Sequence, residues 1–237
     1  MFNDMTLEKQ LFKQLELIKD EISLMRSISF VPCKTDFDDY NGVYNLTGVV
    51  LFADFGGTTN LIDYHDTKFS SWLLKSYLTI VANIIKHSGG VITAFEGDGI
   101  MSIFTGDTKE NNAVKCAFQI HWVVSNIIQP QIDTLFPELK YKMGHVIGID
   151  SSGLSAVKTD IWEHYDLLWI GRAANYAANF TRINEKEFST YITSSVYLNL
   201  SDEFCQDFVY RDNNEIDSFE SSLIEIYSSG KTIPLIN

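Results

Sequence analysis

Residues 47–54 read TGVVLFAD, a short apolar run rich in β-branched residues that ends on a carboxylate. A stretch of that length and composition is a buried central strand, and it commits the chain to a layered fold. Gly56-Gly57-Thr58-Thr59 breaks the run, and the pattern predicts a long helix from about residue 60 to 87, closed by Gly89-Gly90. Residues 91–95 and 100–104 are brief strands flanking Glu96-Gly97-Asp98-Gly99, which reads as a hairpin turn. A second helix is predicted over 111–128, stopping near Pro130. Residues 141–150 and 154–158 form a further strand pair around Ser151-Ser152-Gly153. A helix over 171–184 follows, then a short strand at Tyr191 and a short helix near 195–200. Segments 208–211 and 223–227 close the set as strands. The order βαββαβ, with helices on one face of a largely antiparallel sheet, is an α+β, ferredoxin-like arrangement with additions.

Ahead of this core, 6–28 reads as an N-terminal helix. Leu7, Leu11, Phe12, Leu15, Ile18, Ile22 and Met25 recur at three- and four-residue steps. Thr6 is its N-cap, though Lys9 stands where a capping box needs Glu or Gln. The apolar stripe either packs on its own domain or forms a dimer contact. Pro32 ends the segment and 34–45 is a polar connector, so 1–45 separates from a main domain at 46–237.

The 18 Lys and Arg against 31 Asp and Glu leave a formal net charge of −13, which repels duplex nucleic acid and anionic membranes. Neither is an expected partner. The N-terminus lacks a signal-peptide pattern and no apolar run is long enough to span a bilayer, so the expectation is a cytoplasmic protein. Three widely spaced cysteines, with no Cys/His cluster, indicate neither a disulfide framework nor zinc.

Asp54 ends a buried strand and Asp98 tips the hairpin beside it. Two converging carboxylates suit hard divalent ions, although each also fits a plain turn role. Gly56-Gly57-Thr58 offers backbone N–H groups ahead of a helix, a geometry for phosphate or simply a tight connection. In the segment WIGRAANYAAN, Asn175 and Asn179 lie one turn apart on one helix face, and the small residues between them also favour close packing.

In this order the three segments resemble the class III nucleotidyl cyclases. ADFGGTTNL is similar to that family's first metal-binding strand and phosphate loop, FEGDGIMSIF to its second metal segment, and LLWIGRAANYAANFTRI to its catalytic helix. The resemblance runs from about Leu46 to Ile183, more loosely to Tyr227. It implies the family's catalytic core and a homodimer with two sites at the interface. Asp54 and Asp98, assisted by the Phe55 carbonyl, would hold two Mn²⁺ or Mg²⁺ ions per site. Phe52, Gly56, Gly57 and Thr58 would meet a nucleoside triphosphate, and the partner's Asn175 would orient its ribose.

Two departures narrow the reading. The family's purine-selecting positions are here Ala94 and Leu168, so both polar readers of adenine are missing. Asp166, on the same strand face as Leu168, could supply a replacement contact. Asn179 stands where the family has an arginine for the transition state, with Arg172 and Arg182 as nearby substitutes. Short cyclases with these features resemble the pyrimidine cyclases of bacterial anti-phage Pycsar systems. That implies UTP, or less readily CTP, as substrate and a cyclic nucleotide sensed by a separate effector. An adenylate cyclase with atypical base contacts and an inactive nucleotide-binding module remain the alternatives.

Overall fold

The structure is a computed structural model that describes residues 6–22, 24–37, 42–161, 164–183, 189–212 and 224–235. The chain begins with α1 (Leu7–Ile22), β1 (Met25–Ser27), β2 (Val43–Gly56), α2 (Thr58–Tyr64) and α3 (Thr67–His87). It continues through β3 (Val91–Glu96), β4 (Gly99–Phe104), α4 (Lys109–Val123), α5 (Gln129–Leu135), β5 (Gly144–Ile161) and β6 (His164–Ile170). The last elements are α6 (Arg172–Phe180), β7 (Thr190–Thr193), α7 (Ser194–Tyr197), α8 (Asp202–Cys205), β8 (Val209–Arg211) and β9 (Ile226–Ser229). Two compact units result, one from Met1–Thr47 with Gly153–Gly171, the other from Gly48–Ser152 with Arg172–Asn237.

In the larger unit the sheet order is β3-β4-β2-β5-β7-β9-β8. β2 and β3 both pair antiparallel with β4, and β5 runs parallel to β7. The succession β2-α3-β3-β4-α4-β5 is the ferredoxin-like βαββαβ unit, with β2 inside the sheet. Alternation along β2 sends Val49, Leu51, Ala53 and Phe55 into one core with Leu73, Tyr77 and Val81 of α3 and Val114, Ala117 and Phe118 of α4. In the smaller unit, β1 pairs parallel with the start of β2, and β6 pairs antiparallel with the end of β5. Phe37, Tyr44 and Ala156 form its core, with Leu167 and Trp169 against them.

Several elements differ from the sequence reading. The helix expected over 60–87 is two helices, because the Asp66 carboxylate accepts from the N–H groups of Lys68 and Phe69 and caps a new start. The helix expected to stop near Pro130 instead runs past it, through a π-helical stretch, Val124–Ile128, directly into α5, which contains Pro130. The strand pair expected around Ser151-Ser152-Gly153 is instead the one strand β5, and its outer half pairs with β6. α6 ends at Phe180, with Thr181 and Arg182 in a turn; residue 184 lies outside the described residues, as does the start of the strand expected at 223–227. The N-terminal helix ends at Ile22, and Met25–Ser27 pairs with Val43–Asn45. Leu7, Leu11, Phe12, Leu15 and Ile18 are 50–70% exposed, so the stripe does not pack on its own domain. Among the described residues no helix is long and apolar enough to cross a membrane.

Candidate active site

The floor of the site is the pairing of β2 with β4, which sets Asp54 opposite Gly99 and brings the hairpin tip with Asp98 beside it. The last residues of β2 are anchored from α3. The Tyr77 hydroxyl donates to the Asp54 carbonyl at 3.1 Å, and its ring meets Phe55 edge-on at 5.5 Å. Tyr77 is completely buried, and sequence reasoning marked it only as part of a helix. Gly57 turns the chain into α2 with φ +84°, a conformation that favours glycine. Gly56 lies against the β5 backbone, where a Cβ would stand 3.1 Å from the Gly144 carbonyl carbon.

The two carboxylates act on each other. Burial, and then the charge of Asp98, push the Asp54 carboxyl up to about 7, partly offset by the Phe55 N–H. The Thr58 hydroxyl hydrogen-bonds to the Asp98 carboxylate and lies 3.3 Å from the Phe55 carbonyl oxygen. Among the described residues neither acid has an ion-pair partner. Asp54, Asp98, the Phe55 carbonyl and the Thr58 hydroxyl thus gather oxygen donors of the kind hard divalent cations take. Like charges held together against burial are what such a cation relieves. Among the described residues no group of three His, Cys, Asp or Glu side chains assembles.

Registers across three strands align Phe52, Met101 and Ala94 in one row. Alternation along β2 and β4, with a register shift in β3 between Ile92 and Ala94, puts that row on the sheet face opposite the α3–α4 core. Phe52 and Met101 are buried and Ala94 is half-buried. Phe52 and Ala94 were singled out from sequence. Met101 was missed, and only its register, two residues after Gly99, could have found it. Leu168 lies on β6 in the smaller unit, exposed on the same strand face as Asp166.

α6 buries Ala173, Ala177 and Phe180 and presents Asn175 to solvent, with Asn179 half-buried. The small residues have a structural cause, since a Cβ on Gly148 of β5 would fall 2.1 Å from the Ala177 carbonyl oxygen. The Asn175 side chain makes no hydrogen bond among the described residues and is not joined to the Asp54–Asp98 pair within the chain. Arg172 is committed elsewhere, its Nη2 lying 3.0 Å from Asp150 Oδ1 and 2.7 Å from the Ser195 hydroxyl. Arg182 is exposed in the turn after α6.

No protein-family model matches the chain. It is 41% identical over 163 residues to a uridylate cyclase of Xanthomonas perforans, covering 69% of this chain and 70% of that protein. A uridylate cyclase of Rhodovulum sp. (strain MB263) is 32% identical over 196 residues, covering 81% of this chain and 82% of the relative. Among solved structures, a bacterial light-regulated adenylyl cyclase superposes with a TM-score of 0.70 at 16% identity, covering 96% of this chain and 63% of that one. At that identity the likeness is one of fold.

Proposed function

The chain belongs to the class III nucleotidyl cyclases, in the group whose curated members are uridylate cyclases, and from that premise we propose that it converts UTP to 3′,5′-cyclic UMP and pyrophosphate. The observation that carries the chemistry is the Asp54–Asp98 pair, two opposed carboxylates within an all-oxygen donor set. Asp54, Asp98 and the Phe55 carbonyl would hold two divalent ions. When bound, such ions supply Lewis-acid activation of the ribose 3′-hydroxyl and neutralise the leaving pyrophosphate.

The chain's own residues do the positioning. Gly56, Gly57 and Thr58 present the phosphate loop, with Gly56 kept against β5 and Gly57 in its left-handed turn. Asn175 of the partner subunit orients the ribose so that the 3′ oxygen faces the α-phosphorus in line, where alignment supplies much of the rate. Arg182, exposed beyond α6, contributes the cation that Asn179 does not. The base rests against the row of Phe52, Met101 and Ala94, which offers no side-chain group to read a purine edge. The enzyme works as a homodimer, and its product is the messenger for a separate effector in antiviral defence.

Incubation with all four nucleoside triphosphates and Mn²⁺, followed by mass analysis of the products, tests this reading. Cyclic UMP in excess, with cyclic CMP second and purine products poor, is expected. Equal or faster cyclisation of ATP overturns the pyrimidine assignment, and no turnover of any nucleotide overturns the enzyme.

A further inference from the structure

Asp150 is fully buried on β5, and the cation beside it comes from the first residue of α6. Arg172 Nη2 lies 3.0 Å from Asp150 Oδ1, 2.8 Å from the Ser151 carbonyl oxygen and 2.7 Å from the Ser195 hydroxyl. The Thr193 hydroxyl hydrogen-bonds to the same Oδ1, while Oδ2 has no partner among the described residues. The next residue is pinned too, since the Ala173 N–H donates to the Ser152 hydroxyl at 3.0 Å. One turn further on, Ala177 lies against Gly148. A buried carboxylate whose charge is balanced by one guanidinium resists any displacement of that guanidinium, because the displaced state leaves a buried charge uncompensated. α6 has nine residues, and Asn175 follows Arg172 by three. Where Arg172 is held, Asn175 is aimed.

We propose that the Asp150–Arg172 pair is a positioning device that sets the depth and rotation of α6, and through them the aim of Asn175. The inference rests on the reading above in which Asn175 serves the partner's nucleotide. It assigns Arg172 to the half of the site given to the partner, not to the Asp54–Asp98 half, and gives it no contact with substrate.

Complementation between inactive chains separates these roles. Arg172→Met is tested beside Asp150→Asn/Arg172→Gln, which removes both charges and so leaves no buried ion unpaired. The homodimers are expected to lose about 100-fold in kcat through misplacement of Asn175, with KM for UTP within about threefold of the parent, and to keep a cooperative melting transition. Each variant is then mixed with Asp54→Ala chains, and separately with Asn175→Ala chains, after subunit exchange. Mixing with Asp54→Ala should restore about a quarter of parental activity, because half the dimers are mixed and one of their two sites is intact. Mixing with Asn175→Ala should restore none. Unimpaired turnover by the doubly neutral variant overturns the inference. So does rescue by Asn175→Ala chains, or rescue by neither partner while Asp54→Ala and Asn175→Ala chains rescue each other. If those two fail to rescue each other, the shared-site reading falls and takes the inference with it.

Discussion

Gly99 stands directly across the β2–β4 pairing from Asp54, so near that a Cβ on it would lie 2.9 Å from Asp54 Oδ1 and 2.5 Å from the Phe52 ring. The Asp54 carboxylate uses space that any other residue at 99 would fill. Gly99→Ala should therefore displace the carboxylate and weaken Mn²⁺ binding about 10- to 100-fold, read from the free Mn²⁺ signal in an electron paramagnetic resonance titration. Parental affinity in that variant would remove Asp54 from the ligand set.

The Asp54 carboxyl, raised from 3.8 to about 7, would make the proposed metal binding pH-dependent. Below about pH 7 an incoming cation must displace a proton, so Mn²⁺ affinity should climb as pH rises towards that value and level off above it. Calorimetry in buffers of different ionisation enthalpy should detect close to one proton released per occupied site at about pH 6. Without metal the sign reverses for stability. The folded state holds a proton the unfolded chain has lost, so this contribution is complete below about pH 4 and drains away as pH rises to about 7. Asp54→Asn should flatten that slope in metal-free melts, and an unchanged slope would assign it to another group.

His145 pulls the other way. Burial, and then neighbouring His121, hold its imidazole down to about 3, with the two rings 5.0 Å apart. The unfolded side chain takes its proton near 6.5, so stability present above that pH is lost as pH falls towards 3. Urea midpoints should drop between about pH 7 and pH 5, and His145→Leu should make the drop shallower. Identical curves for parent and variant would refute this source of acid lability.

Gly148→Ala tests how tightly α6 is seated. Its Cβ would meet the Ala177 carbonyl oxygen at 2.1 Å, so the helix must lift from β5. A loss of about 1–3 kcal/mol in denaturant stability is expected, together with a fall in kcat comparable to that of Asn175→Ala. Gly153→Ala, whose Cβ meets nothing within 4 Å, is the control and should change neither.

What could be read from the sequence was local. The apolar run ending at Asp54, the hairpin around Asp98 and the small-residue helix around Asn175 each declare themselves within a dozen residues, and the βαββαβ order follows from their succession. What escaped depends on partners far along the chain. Ser151-Ser152-Gly153 looks like a turn, but Ser152 holds the Ala173 N–H and the strand runs straight through. Arg172 looks available for catalysis until Asp150, 22 residues earlier, and Ser195, 23 later, close on it. Met25 fits the helical periodicity, yet pairing with Val43 makes it a strand residue. Asp66 did carry a local signal, a cap, that the longer apolar periodicity concealed.

The glycines at 56, 99 and 148 are each hemmed in by backbone or by buried side chains, whereas Ala94 has a half-open surface in front of it. The framework and the proposed base wall therefore differ in their freedom to vary. Enlarging any of these glycines would force the frame to shift, while on the proposed function an exchange at residue 94 would keep the scaffold and alter what the base meets. Substrate preference can drift in such an architecture without the catalytic frame being rebuilt.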